Sequence, residues 1–205
     1  MRKKLIIAAV ILIPIAIYLG LKTNQSDSTE AYFEEIMKKR QEQEEYLKTS
    51  SSSPFAKDKS GFKPLNYYPI DPKYKVKAIV NKLTNLEYVN IGETDGSTKR
   101  YVKYATLSFK IDDTPMELLV LKPSGFGQMN ILFTAFADET SSIETYGAGR
   151  YLDLDFKNAS TITLDFNLAY NPYCAYNESF SCPLPTKENI LPIKIEAGEK
   201  KFHKD

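Results

Sequence analysis

Residues 105–121 read ATLSFKIDDTPMELLVL, and this stretch decides the fold class. Ala105, Leu107, Phe109 and Ile111 alternate with Thr106, Ser108 and Lys110, the period-two pattern of a half-buried strand. Asp112, Asp113, Thr114 and Pro115 then form a turn, and Met116 to Leu121 returns as a partner strand. The same grammar repeats outward from this hairpin. Tyr74, Val76, Ala78 and Val80 alternate upstream. Downstream, Ile131 to Phe136 reads as a short buried strand. Leu152, Leu154 and Phe156 alternate with Asp153 and Asp155, and Ile162, Leu164 and Phe166 with Thr163 and Asp165. Ile193, Ile195 and Ala197 close the series. Many short strands separated by turn signals, with no alternating strand–helix pattern and no internal repeat, predict a mainly β domain over about 61–205. The expected form is an antiparallel sandwich or barrel.

The N-terminus has a different composition. Arg2, Lys3 and Lys4 precede the uncharged run Leu5 to Leu21, LIIAAVILIPIAIYLGL, 17 residues long. That is the short end of what crosses a bilayer as a helix and slightly longer than a usual signal-peptide core. No small-residue cleavage site follows it, and no cysteine that would carry a lipid. The positive cluster before the span puts residues 1–4 in the cytoplasm and the remainder outside. The expectation is a single-pass inner-membrane anchor over 5–21, or a secreted protein if the segment is cleaved. Residues 22–60 then read as a stalk. Asp27 and Glu30 resemble an acidic capping box. Tyr32, Phe33, Ile36, Met37 and Leu47 can share one face of an amphipathic helix over about 28–48, placed to dock on the domain. Ser50 to Ser53 and Pro54 end it.

Composition excludes several functions. The 205 residues carry 27 basic and 26 acidic side chains, so no basic stripe argues for nucleic acid. The single His, His203, is the third residue from the end, so Ser–His and Cys–His catalysis lacks its base. No phosphate-binding loop, dinucleotide fingerprint or zinc-protease motif occurs. No cofactor is expected and no metal site, since two cysteines without a nearby His cannot complete a zinc set.

Three segments depart from plain patterning. The first, residues 136–151, carries Asp138, Glu139, Glu144, a Gly147–Ala148–Gly149 turn and then Arg150. A glycine-flanked Arg beside carboxylates is either a planar fork for an anion or an internal salt bridge that fixes the loop, and the second reading is preferred. The second, DFNLAYNPYCAY (165–176), turns through Asn171–Pro172. Its Asn and Tyr groups either satisfy a buried loop or line a polar pocket with Tyr170, Tyr173 and Tyr176. The third is Cys174 and Cys182, read as a short disulfide in an oxidising compartment, with two buried thiols as the competing reading.

Together these segments are similar to the bacterial domain-of-unknown-function family 1684. The likeness runs through SPFAKDKSGFKPLNYYPIDPKYKVKA (53–78), TYGAGRYLDL (145–154), DFNLAYNPYCAY (165–176), CPLPTKEN (182–189) and AGEK (197–200). Ser142 stands where the resemblance leads one to expect Gly. The resemblance implies a compact β domain behind a signal or anchor and implies no activity. The resulting candidate ligand-binding patch is Asp138, Glu144, Tyr146, Arg150, Asn167, Tyr170, Asn171 and Tyr176. The expected function is a non-catalytic envelope module that binds a small molecule or an envelope protein. The alternatives are a hydrolase using Glu144 or Asp138 with Arg150 holding an anion, and a purely structural envelope domain.

Overall fold

A computed structural model describes residues 28–124, 131–155 and 159–202. The tail 1–4, the hydrophobic run 5–21 and the capping residue Asp27 therefore lie outside the described residues. Among the described residues no helix is long and apolar enough to cross a membrane. One helix, α1, occupies residues 28–49. A compact unit runs from Glu42 to Asp205, and the last turns of α1 belong to it. There Leu47 packs with Phe55 and Tyr176, and the Glu44 carboxylate accepts the Leu65 N–H at 3.0 Å.

The unit is built on one six-stranded antiparallel sheet: β1 (Lys75–Gly92), β2 (Thr98–Ile111), β3 (Thr114–Pro123), β4 (Leu132–Phe136), β5 (Arg150–Leu154) and β6 (Thr161–Asp165). The strand order is β5-β4-β3-β2-β1-β6. The β2–β3 hairpin is the one the alternation predicts. Ile111 pairs with Thr114 across Asp112 and Asp113, whose φ of 46° and 62° make the mirror-image turn that matches strand twist.

Of the two expected forms, sandwich and barrel, the mainly β antiparallel domain takes the barrel-like one. There is a single sheet, curled into an open half-barrel, and two features favour the curl. First, β5 and β6 are opposite edges, which a flat sheet would set about 24 Å apart, the limit of what the link 155–160 could span if fully stretched. Second, register shifts on both sides of Tyr104 coincide. Lys82↔Ala105 gives way to Glu87↔Lys103 on one side, and Ala105↔Val120 to Lys103↔Leu121 on the other. Extra residues at one point bend the strands and increase their twist.

The core follows from the pleat. On one face Ala78, Val80, Leu107, Phe109, Leu118, Val120 and Leu152 pack with Phe166, Leu191, Ile195 and Ala197. On the other face Ile91, Tyr101, Leu119, Leu121, Phe133 and Tyr151 pack with Cys174 and Cys182. The run Leu118 to Leu121 is apolar without alternation because β3 is covered on both sides. Residues 193–197, read as a last strand, join no ladder. Their backbone groups go to side chains and loops, principally Arg150.

Candidate functional site

Arg150 opens β5 and is 1% exposed. Its guanidinium bridges the Asp138 carboxylate at 2.9 Å, the Ile195 carbonyl at 2.9 Å and the Ala197 carbonyl, and lies over the Phe136 ring. Asp138 in turn accepts the Thr140 N–H at 2.8 Å, the Thr140 hydroxyl at 2.6 Å and the Ile195 N–H at 3.2 Å. The pair thus stitches the 138–145 loop to the C-terminal segment, as the salt-bridge reading of the sequence has it. Gly149 makes room for this. Its φ is 88°, and a Cβ there would stand 2.6 Å from the Phe136 carbonyl oxygen. Ser142, in the same loop, also adopts a left-handed φ of 68°, the conformation that the expected Gly would take without strain.

The remaining candidate residues separate into different places. Glu144 accepts the Tyr68 hydroxyl at 3.0 Å and lies 4.0 Å from Lys200, with no bond to Arg150. Asn167 is fully buried. Its amide accepts the Asp71 N–H at 2.9 Å and donates to the Asp71 carbonyl at 2.8 Å, replacing a peptide group. Asn171 and Tyr176 converge on a residue that sequence reasoning missed, Glu199, which is 0% exposed. The Glu199 carboxylate accepts the Asn171 N–H at 2.9 Å, the Asn171 side-chain amide at 2.8 Å and the Tyr176 hydroxyl at 2.7 and 2.8 Å. Burial raises its carboxyl to about 7, against the opposing pull of these donors. Arg150, Glu144 and Asn171 therefore do not converge on a common opening.

Cys174 and Cys182 lie together on the far face of the sheet as free, buried thiols. The structure brings the pair into contact without the expected disulfide bond. The Cys174 N–H donates to the Cys182 sulfur at 3.2 Å, and the Tyr146 hydroxyl to the Cys174 sulfur at 3.7 Å. The hydrogen bond between the two side chains lowers the Cys174 thiol and raises that of Cys182. No group of three or more His, Cys, Asp or Glu able to hold a metal occurs among the described residues.

Beside the cysteines a pocket of about 510 Å³ opens between the end of α1, β5 and the 170–183 segment. Its walls are Tyr46, Tyr151, Tyr170, Tyr173 and Phe180, with Asp153 and Cys182. Rings meet edge to face, Tyr151 on Tyr170 at 6.0 Å and Tyr173 on Phe180 at 5.4 Å. The Tyr170 hydroxyl donates to Asp153 at 2.7 Å, that of Tyr173 to Tyr46 at 2.9 Å, and that of Tyr151 to the Pro183 carbonyl at 2.5 Å. Burial pushes the Tyr151, Tyr170 and Tyr173 phenols up, so they stay neutral. Asp153 stands at the rim, open to solvent. The surrounding protein still desolvates its carboxyl enough to raise it above its ordinary value, against the opposing hydrogen bond from Tyr170. Of the eight patch residues, Tyr170 alone lines this pocket. Asp153 was missed because an aspartate on the outward phase of a strand reads as solvated. It meets the tyrosine-rich 170–176 run only in space, through the Tyr151↔Tyr170 bridge, which leaves no trace in the sequence.

Fold and pocket together define a class: a small, mainly β half-barrel domain with a tyrosine-walled cleft. The chain belongs to the DUF1684 family, described as a protein of unknown function, whose model matches residues 60–200. It is similar to an uncharacterized protein of Haloarcula marismortui solved by solution NMR. The two are 35% identical, the match covers 85% of this chain and 96% of that one, and the TM-score is 0.66. No curated protein matches the chain.

Proposed function

We propose that the domain is a non-catalytic binding module that takes a small ligand in the tyrosine-walled pocket, held at the cell envelope by the segment 5–21. The carrying observation is the pocket itself, a preformed concave site of about 510 Å³ with mostly aromatic walls and few polar groups. The acid–base roles weighed for Asp138 and Glu144 have less support. Asp138 is buried with both oxygens engaged, and Glu144 is bound by Tyr68 away from this cleft. Envelope placement rests on the uncharged run Leu5 to Leu21 behind Arg2, Lys3 and Lys4.

A small-fragment library titrated into the isotopically labelled full chain tests the binding reading. Fragments are expected to shift the resonances of Tyr170, Tyr173 and Phe180, and Tyr173→Ala to remove those shifts while leaving the circular dichroism unchanged. A library that never perturbs these residues overturns the reading. For the placement, protease added to intact spheroplasts should digest the domain. Protection until lysis would contradict it.

A further inference from the structure

The pocket has a hydrogen-bonding polarity as well as a shape. Three of its four tyrosine hydroxyls spend their protons inside the protein: Tyr170 on Asp153, Tyr173 on Tyr46 and Tyr151 on the Pro183 carbonyl. The Ser181 hydroxyl, also in the lining, donates to Glu93 at 3.3 Å. What these groups offer a ligand is acceptor capacity. Among the described residues Asp153 is the one charged side chain in the lining, and no described Lys or Arg joins it there. Tyr170 holds one of its oxygens, leaving the other for a guest. The walls are ring faces and edges.

These features select against most ligand classes. An anion would meet the Asp153 charge with no cation to receive it. A sugar needs many donors, and among the described lining residues the Tyr46 hydroxyl and the Gln43 amide are the ones with protons left to give. A cation on an apolar body meets both demands, with the charge on Asp153 and the electron-rich ring faces and the body against the rings. Such cation–ring contacts are attractive through the ring quadrupole and strengthen when desolvated. We infer that the pocket is a site for a small organic cation, an ammonium group carried on an apolar body, with Asp153 as its counter-charge and Tyr170 and Tyr173 as its cage. The inference rests on the binding-module reading and names the ligand class for that site.

The test compares choline with its neutral isostere, 3,3-dimethylbutan-1-ol, by NMR titration of the full chain. Choline is expected to bind at least about tenfold more tightly, shifting Tyr170 and Tyr173, and more weakly as salt is added. Asp153→Asn, which keeps the shape and removes the charge, should cost choline about tenfold or more in affinity and leave the alcohol unaffected. Its melting curve, matched to that of the parent, confirms that the fold is retained. Equal affinity for choline and the alcohol, or an Asp153→Asn protein that binds choline undiminished, overturns the cation assignment and leaves the pocket a neutral-ligand site. If neither probe shifts any pocket residue, the cation assignment fails. The binding-module reading falls separately only if the fragment library also finds nothing there.

Discussion

At the scale of single residues, the buried polar side chains are fasteners, and two of them give sharp tests. Arg150 and Asp138 are each about 1% exposed in their side chains and 2.9 Å apart. Removing one partner leaves the other charge buried, which costs about 3–5 kcal/mol, whereas removing both costs less than the sum. Arg150→Met and Asp138→Asn should each lower the denaturant midpoint sharply, and the double variant should show favourable coupling in a double-mutant cycle. Glu199 acts through protonation. Its folded carboxyl is raised to about 7 from an ordinary 4.5, so the folded state holds the proton more tightly than the unfolded chain. The stabilisation is complete below about pH 4.5 and is lost as pH rises toward 7, with a full amplitude of roughly 3 kcal/mol. Denaturant titrations between pH 4 and 8 should show wild type losing stability relative to Glu199→Gln across that window. Parallel curves would refute the assignment.

At the scale of elements, the most informative join is between β3 and β4. The ladder holds one pair, Leu121↔Phe133, and the next in register would be Leu119 with Ala135. The Asn189 side chain sits between them instead. It accepts the Leu119 N–H at 2.6 Å and donates to the carbonyls of Leu119 at 3.0 Å and Ala135 at 2.8 Å. One amide thus serves as a missing strand residue, and Asn167 does the same for Asp71. Asn189→Ala would orphan backbone groups in a fully buried place, each worth about 1–3 kcal/mol. A loss of about 2–4 kcal/mol is expected by chemical denaturation, and a change below about 1 kcal/mol would show that the splayed strands close by themselves. This arrangement also explains what the sequence could reveal. Strands paired with strands leave a period-two trace, so β2, β5 and β6 were legible, while β3 and β4 were legible as short apolar runs. The second half of β1, Asn81 to Gly92, is mostly exposed and interrupted opposite Tyr104, so it leaves no alternation. Residues 193–197 alternate like a strand, but their partner is Arg150. Legibility of the pocket was poorer still. Tyr170 was reachable from its tyrosine-rich string, but Asp153 and Tyr46 join it only through the packing of α1 and β5 around that string.

At the scale of the whole molecule, the half-barrel is closed from the outside by its own C-terminus. Ile195, Ala197 and Glu199 are fully buried although they lie in no strand. Ile195 and Ala197 complete the core beneath β1–β3, Arg150 holds their carbonyls, and Glu199 gathers Asn171 and Tyr176. The backbone N–H groups of Glu199, Lys200 and Lys201 donate to the carbonyls of Ala169, Asn66 and Glu144, three regions far apart in sequence. A curled sheet with one uncovered apolar face cannot be stable alone, and the segment that covers it arrives last along the chain. Ending the chain after Pro192 should therefore abolish the cooperative unfolding transition and the near-ultraviolet tyrosine signal while leaving much of the far-ultraviolet β signal, the signature of a compact state without fixed packing. Adding residues 193–205 as a separate peptide should restore the tyrosine signal in a saturable way, because the contacts that capture it are already placed by β5 and the 166–171 turn. A truncated chain that still melts cooperatively within about 1 kcal/mol of the parent would mean that the sheet carries its own stability and that the clamp is dispensable.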